Sequence, residues 1–172
     1  PVGAVSKDQR GLGKKAELML GFGAGGDKFA ASCAEDGVDL EAFGLSGLDV
    51  RDAWRKKHAP VVKLWKACER AYASACEGRA MAAGPWTYEP HAAADGRGGV
   101  DVWCVLPSGR PIVYPNAKAK PDRRGWGWDM SYTGGLGFPE HVYGGLLVEN
   151  AVQATCRDLL ADSLVRCERA GL

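Results

Sequence analysis

Residues 6–29 read "SKDQRGLGKKAELMLGFGAGGDKF", and the fold of the leading part of the chain turns on what precedes the glycines. Gly21, Gly23 and Gly26 have the G-x-G-x-x-G spacing of a dinucleotide-binding loop. Such a loop follows a strand and opens a helix, so that phosphates meet the free N–H groups of the helix start. The upstream residues are helical instead. Ser6 and Gln9 stand at capping-box spacing, and Leu12, Ala16, Met19 and Leu20 recur at intervals of three and four. The pattern predicts a helix over residues 7–20. Its C-terminal end carries the glycines, where one residue must turn left-handed without a Cβ clash. A nicotinamide-dependent enzyme rests on the glycine spacing alone, and the misplaced context argues against it.

Working outward, a short helix is expected over residues 27–34, with Gly37 breaking the pattern. Asp49 is expected to cap "VRDAWRKK", with Asp52 adding a carboxylate to the first turn. Pro60 suits the first turn of a helix over "PVVKLWKACERAYASACEG". Val61, Leu64, Trp65, Cys68, Tyr72 and Ala75 form its apolar stripe and Gly78 ends it. A loop rich in Ala, Gly and Pro follows. "VDVWCVLPSGRPIVY" then predicts a hairpin about Pro107, Ser108 and Gly109. "WGWDMSY" predicts a strand with Trp126, Trp128, Met130 and Tyr132 on one face, which reads as a core face in preference to a base-stacking platform. The last helix, over residues 142–170, is expected to bury Leu147, Ala151, Ala154, Leu160, Leu164 and Cys167 and to expose an Asp162–Arg166 pair.

These elements define an α+β chain, predominantly helical, with small antiparallel β-hairpins and a long C-terminal helix. The expected parts are a helical region over 1–78, an irregular and β-hairpin region over 79–141 and the long helix over 142–172. The 172 residues are 46% hydrophobic and 25% charged, an ordinary globular composition that excludes intrinsic disorder. A net charge of +1 leaves any basic surface to be local. No apolar run reaches the roughly 18–20 residues of a membrane span, and no signal-peptide core opens the chain, so a cytoplasmic protein with no membrane partner is expected. The six cysteines form no C-x-x-C pair and no histidine stands at ligand spacing to them, which points to free thiols and no structural metal.

Candidate functional residues follow from spacing. Arg10 and Lys14 are one helical turn apart, and Phe22 lies about 12 Å farther along the axis from Lys14 if the helix holds. That span suits a nucleoside triphosphate, its phosphates on the cations and its base against the ring. Arginine binds phosphate bidentately, and lysine adds a compact charge able to donate a proton. Gly11 and Gly13 each weaken the helix by up to about 1 kcal/mol relative to Ala, and close ligand approach is one reason to tolerate them. The alternative for the same face is a solvated cationic surface. Asn150, Gln153 and Arg157, three and four apart, share one face of the last helix.

"QRGLGKKAELMLGFGAGG" resembles the motif B helix of family A DNA polymerases: Arg, three residues, Lys, seven residues, then Tyr or Phe and Gly. It looks most like the phage-type branch, and "WRKKHAPVVKLWKACERA", "LPSGRPIVY" and "YGGLLVENAVQATCRDLLADSL" agree in order. The resemblance implies a fingers subdomain that closes over the incoming dNTP, with adjoining palm pieces. On that basis Arg10 and Lys14 hold the triphosphate, Lys14 is the general acid for the leaving pyrophosphate, Phe22 is the base-pair-checking aromatic, and Gly23 follows it. Gln153 matches a glutamine that touches primer–template DNA. Asn150 and Arg157 are candidates for the same surface, and Arg110 for a nucleic-acid phosphate or a plain exposed hairpin position.

The departures are also informative. Leu18 stands where bacterial repair members carry an aromatic against the sugar, and Leu146 where phage-type relatives often have lysine. The Mg2+ ions of the full-length polymerase require an aspartate in motif A and another in motif C, and Asp27, Asp49, Asp129 and Asp158 lack the flanking sequence of either. The expectation is a polymerase segment that acts with the rest of its chain and is inactive alone. A non-catalytic nucleic-acid or nucleotide-binding module is the alternative.

Overall fold

The structure, a computed structural model, describes residues 5–96, 98–123 and 127–171. The chain is α+β with helices predominating. Its contacts group it into two units, Pro1–Val62 and Lys63–Leu172.

The first unit contains α1 (Lys7–Gly21), α2 (Gly26–Glu35), a 3-10 turn (Glu41–Phe43) and α3 (Gly47–Lys57). The capping box of α1 forms as its spacing predicts: the Gln9 N–H donates to the Ser6 hydroxyl at 3.1 Å, and the Ser6 N–H to Gln9 Oε1 at 3.0 Å. At the other end Gly23 has φ 86°. Its N–H reaches the Leu20 carbonyl at 3.0 Å while the Ala24 N–H reaches Met19 at 3.1 Å, a Schellman closure that needs a residue without Cβ. The fingerprint-like glycines therefore lie between two helices, not between a strand and a helix.

Gly26 has a different task. A Cβ there would lie 2.9 Å from the Gly47 carbonyl group, and one on Gly47 would lie 2.2 Å from the Gly26 oxygen. Helices α2 and α3 thus meet backbone to backbone. Around this contact Ala16, Leu20, Phe29, Cys33, Leu40 and Trp54 are buried. The cap of α3 differs from the expectation. Ser46 is the N-cap, its hydroxyl accepting the Asp49 N–H at 3.2 Å, and Asp49 answers by accepting the Ser46 N–H at 2.9 Å. Asp49 is the reciprocal half of a capping box, and its hydrogen bonds from Ser46 hold its carboxyl below the usual aspartate range.

Helix α4 (Ala59–Cys76) buries Trp65, Cys68, Ala71, Tyr72 and Ala75. Four strands follow, β1 (Met81–Ala83), β2 (Trp86–Ala92), β3 (Val100–Val105) and β4 (Pro111–Tyr114), paired antiparallel in the order β1-β2-β3-β4. The β3–β4 hairpin is the predicted one, with Cys104 opposite Ile112. Strands β1 and β2 occupy the stretch expected to be a loop. Trp86 and Tyr88 point inward, and β2 pairs with β3 from Thr87 to Ala92.

A second antiparallel sheet joins β5 (Lys118–Pro121), β6 (Trp128–Thr133) and β7 (Pro139–Val142). On β6 Met130 is buried in the core, with Trp128 and Tyr132 packed against it, so the aromatic stripe is a core face; Trp126 lies outside the described residues. Tyr72, Tyr114 and Tyr132 stand edge to face at 5.6 and 5.3 Å, and the Tyr72 hydroxyl donates to the Ser131 carbonyl at 2.9 Å, tying α4 to β6.

Helix α5 (Gly144–Arg169) buries Gly144, Gly145, Leu147 and Ala151. Its second half does not bury the expected side: Leu160 and Leu164 are 60% and 61% exposed and Cys167 is exposed. The Asp162–Arg166 pair forms at 2.8 Å. The helix start has no cap of its own. Glu69 of α4 supplies one, accepting the Gly144 N–H at 3.1 Å while its other oxygen holds Lys66 at 2.8 Å. All six cysteines are free. Among the described residues no helix is long and apolar enough to cross a membrane.

Candidate functional site

Two sets of candidate residues are resolved, one in each unit. In the first, α1 is helical through Gly21 and Phe22 is its C-cap, so the helix holds over the span separating Lys14 from the ring. Arg10 and Lys14 are exposed and have no acidic partner among the described residues. The adjacent Lys15 is the contrast. Its ammonium is bound by the Ser32 carbonyl and by Asp36 at 2.5 Å, which makes it a tie between α1 and α2. Leu18 and Phe22, 61% and 38% exposed, continue the stripe at further steps of four residues, so a cationic start leads into an apolar end. No atom lies within 4 Å of a Cβ built on Gly11 or Gly13. Gly23, beside the ring, is accounted for by the helix stop described above.

On α1 and α3 Glu17 is also engaged. It accepts the Trp54 indole N–H at 3.0 Å and lies 3.4 Å from His58 and 3.6 Å from Lys57. These partners, the indole hydrogen bond first, hold its carboxyl below the usual range. The group braces the first unit and leaves Lys14 unneutralised.

In the second unit Arg110, Asn150, Gln153 and Arg157 line one groove of about 360 Å³, together with Ile112 and Ala154. The four polar candidates thus come together although 47 positions separate the first from the last. Asn150 donates to the Tyr114 hydroxyl at 3.3 Å, and Gln153 to Glu149 at 3.1 Å. Burial pushes the Tyr114 hydroxyl far above its usual range, so it remains a neutral acceptor. Arg157 is exposed.

Arg110 is not a loose hairpin arginine. Its Nε donates to Asp158 Oδ1 at 2.8 Å and its Nη2 to the Ala154 carbonyl at 3.1 Å, while the Ser108 hydroxyl donates to Asp158 Oδ2 at 2.6 Å. The Ser108 and Arg110 hydrogen bonds keep the Asp158 carboxyl below the usual aspartate range. Sequence reasoning missed Ser108 and Asp158 as parts of the site. The signal available was slight: Asp158 follows Ala154 by one turn on a helix whose other members had been recognised.

Among the described residues no three His, Cys, Asp or Glu side chains are grouped to hold a metal ion.

The chain is 33% identical to a protein named DNA polymerase from Bacillus phage SP02, in an alignment of 177 positions that takes in 99% of this chain and 26% of the phage protein. The chain thus spans about a quarter of the length of the curated relative it matches. No protein-family profile and no solved structure matches it. The likeness to a DNA polymerase runs along nearly the whole chain.

Proposed function

We propose that the chain is the fingers segment, with adjoining palm pieces, of a phage-type family A DNA polymerase, and that it grips the incoming dNTP and the primer–template. The observation that carries this reading is the α1 stripe: Arg10 and Lys14 exposed on successive turns, Phe22 at the helix end, and open space over Gly11 and Gly13. A triphosphate approaching this helix meets Arg10 as a bidentate partner and Lys14 as a point charge. As the primer 3′-hydroxyl gives up its proton to water and attacks the α-phosphorus, the bond to pyrophosphate breaks and negative charge grows on the leaving oxygen. Lys14 donates a proton there, and Phe22 stacks against the nascent base pair. The Arg110, Asn150, Gln153 and Arg157 groove receives the primer–template backbone and base edges. The magnesium ions that such a transfer uses would be held by residues outside this segment.

Single-turnover nucleotide addition by the intact protein tests the assignment. Lys14→Ala is expected to slow addition by about 10²–10⁴-fold, the usual contribution of a positioned acid, with primer–template affinity nearly unchanged. Equal rates for variant and wild type would remove Lys14 from the chemistry.

A second reading, a nucleic-acid-binding module without chemistry, rests on the groove that Arg110, Asn150, Gln153 and Arg157 line. It expects the chain by itself to bind DNA with an affinity that falls as salt rises, through counterion release. Salt-independent or undetectable binding would exclude it.

A further inference from the structure

We propose that Asp158, with Ser108, is a positioning residue that presets Arg110 as a phosphate clip at the edge of the groove. The inference rests on the primer–template reading of that groove. An arginine offers five N–H donors. Two of them are taken, by Asp158 and by the Ala154 carbonyl, which leaves three, and Nη1 has no partner among the described residues. The bound edge anchors the guanidinium to α5 while the remaining donors are available to the groove that Gln153 and Arg157 also line. Ser108 completes the device. It sits in the β3–β4 turn two residues before Arg110, and its hydroxyl occupies the second Asp158 oxygen, so the turn and the arginine are held by one carboxylate. A long cationic side chain loses rotamer freedom on binding a phosphate, and an arginine already held in place loses less.

The arrangement makes a prediction opposite in sign to simple electrostatics. Removing an acidic charge beside a DNA groove should tighten binding if charge alone mattered. If Asp158 acts by holding Arg110, Asp158→Ala should weaken binding.

The experiment measures primer–template affinity of the intact protein against salt concentration for Arg110→Ala, Asp158→Ala, Asp158→Asn and the Arg110→Ala/Asp158→Ala double variant. Arg110→Ala should lower the slope of log affinity against log salt by about 0.9, the value for one phosphate contact. Asp158→Ala should weaken binding several-fold, Asp158→Asn should fall between it and wild type because an amide oxygen still accepts from Nε, and the double variant should match Arg110→Ala alone. Should Asp158→Ala fail to fold, Asp158→Asn and Ser108→Ala carry the same test and are expected to weaken binding in the presence of Arg110 only. Tighter or unchanged binding on loss of Asp158, or an equal loss in the Arg110→Ala background, overturns the positioning role. If Arg110→Ala itself leaves affinity and slope unchanged, the groove reading fails as well, so the two failures are distinguishable.

Discussion

Gly47→Ala isolates the contact on which the first unit depends. The added Cβ would stand 2.2 Å from the Gly26 carbonyl oxygen and 2.9 Å from Ala30 Cβ. The nearest real Cβ contacts begin at 3.0 Å, so the two backbones must part by at least the difference, 0.8 Å, between α2 and α3. The opposing group is main chain and cannot swing away. Overpacking of this kind costs about 1–3 kcal/mol, and a backbone clash belongs near the top of that range. The better helix propensity of Ala returns up to about 1 kcal/mol in a helix interior and less at the first position of α3. A net loss of about 2 kcal/mol shifts a urea midpoint downward by about 1 M for a slope near 2 kcal/mol per M. The same substitution at Gly11 or Gly13 meets open space and should stabilise α1 by about 0.5–1 kcal/mol. Urea unfolding followed by far-ultraviolet circular dichroism compares all three. A Gly47→Ala protein as stable as wild type, or equal losses at Gly11 and Gly13, would refute the close-approach argument.

Further expectations concern the second unit. Burial pushes the Cys76 and Cys104 thiols up to about 12, so at neutral pH a thiol reagent should label the exposed Cys156 and Cys167 quickly, the half-buried Cys76 slowly and the buried Cys104 only after unfolding, as peptide mass spectrometry would reveal. Because both thiols ionise at lower pH when unfolded than when folded, their contribution to stability is complete below about 8.5 and declines between there and about 12. Tyr72, Tyr88 and Tyr114, also displaced upward by burial, should steepen this loss above about 10 and acquire tyrosinate absorbance only together with unfolding. Ionisation of any of these three tyrosines while the protein is still folded would contradict their burial. Glu69→Ala should cost about 1–2 kcal/mol by uncapping α5, with Glu69→Gln recovering part of it; thermal melts in which neither differs from wild type would remove Glu69 as the cap.

What was legible in the sequence was what short-range geometry determines. The start of α1 is a box of four residues and its end is a glycine stop, both complete within the quoted stretch. Asn150, Gln153 and Arg157 share a helical face whatever surrounds it. Strand β2 was obscured because Pro90 interrupts its apolar alternation and because its identity comes from pairing with β3 across Gly96–Gly99. The second half of α5 misled in the opposite direction: Leu160 and Leu164 have helical spacing, but periodicity cannot say whether a partner surface is present, and both stand in solvent. The Arg110–Asp158 tie joins residues 48 apart, and only the tertiary fold brings the hairpin turn to the helix.

Four glycines of the quoted stretch, Gly11, Gly13, Gly23 and Gly26, divide by cause, and the division bears on function. Gly23 is required by a helix stop and Gly26 by a backbone crossing, so the first unit would need both even if it bound nothing. Gly11 and Gly13 answer to neither demand: each lies within α1, neither has positive φ, and neither meets a neighbouring atom where its Cβ would be. Folding alone favours Ala at both, because each glycine lowers helix stability. A residue retained against local stability points to a requirement outside the chain's own packing. Both glycines flank Lys14, one turn before it and immediately beside it, where a ligand drawn to the lysine would approach the helix backbone. The stretch that first suggested a phosphate loop thus suits the proposed phosphate binding through different residues: Gly23 and Gly26 shape the helices, and the earlier pair leaves room at the cations.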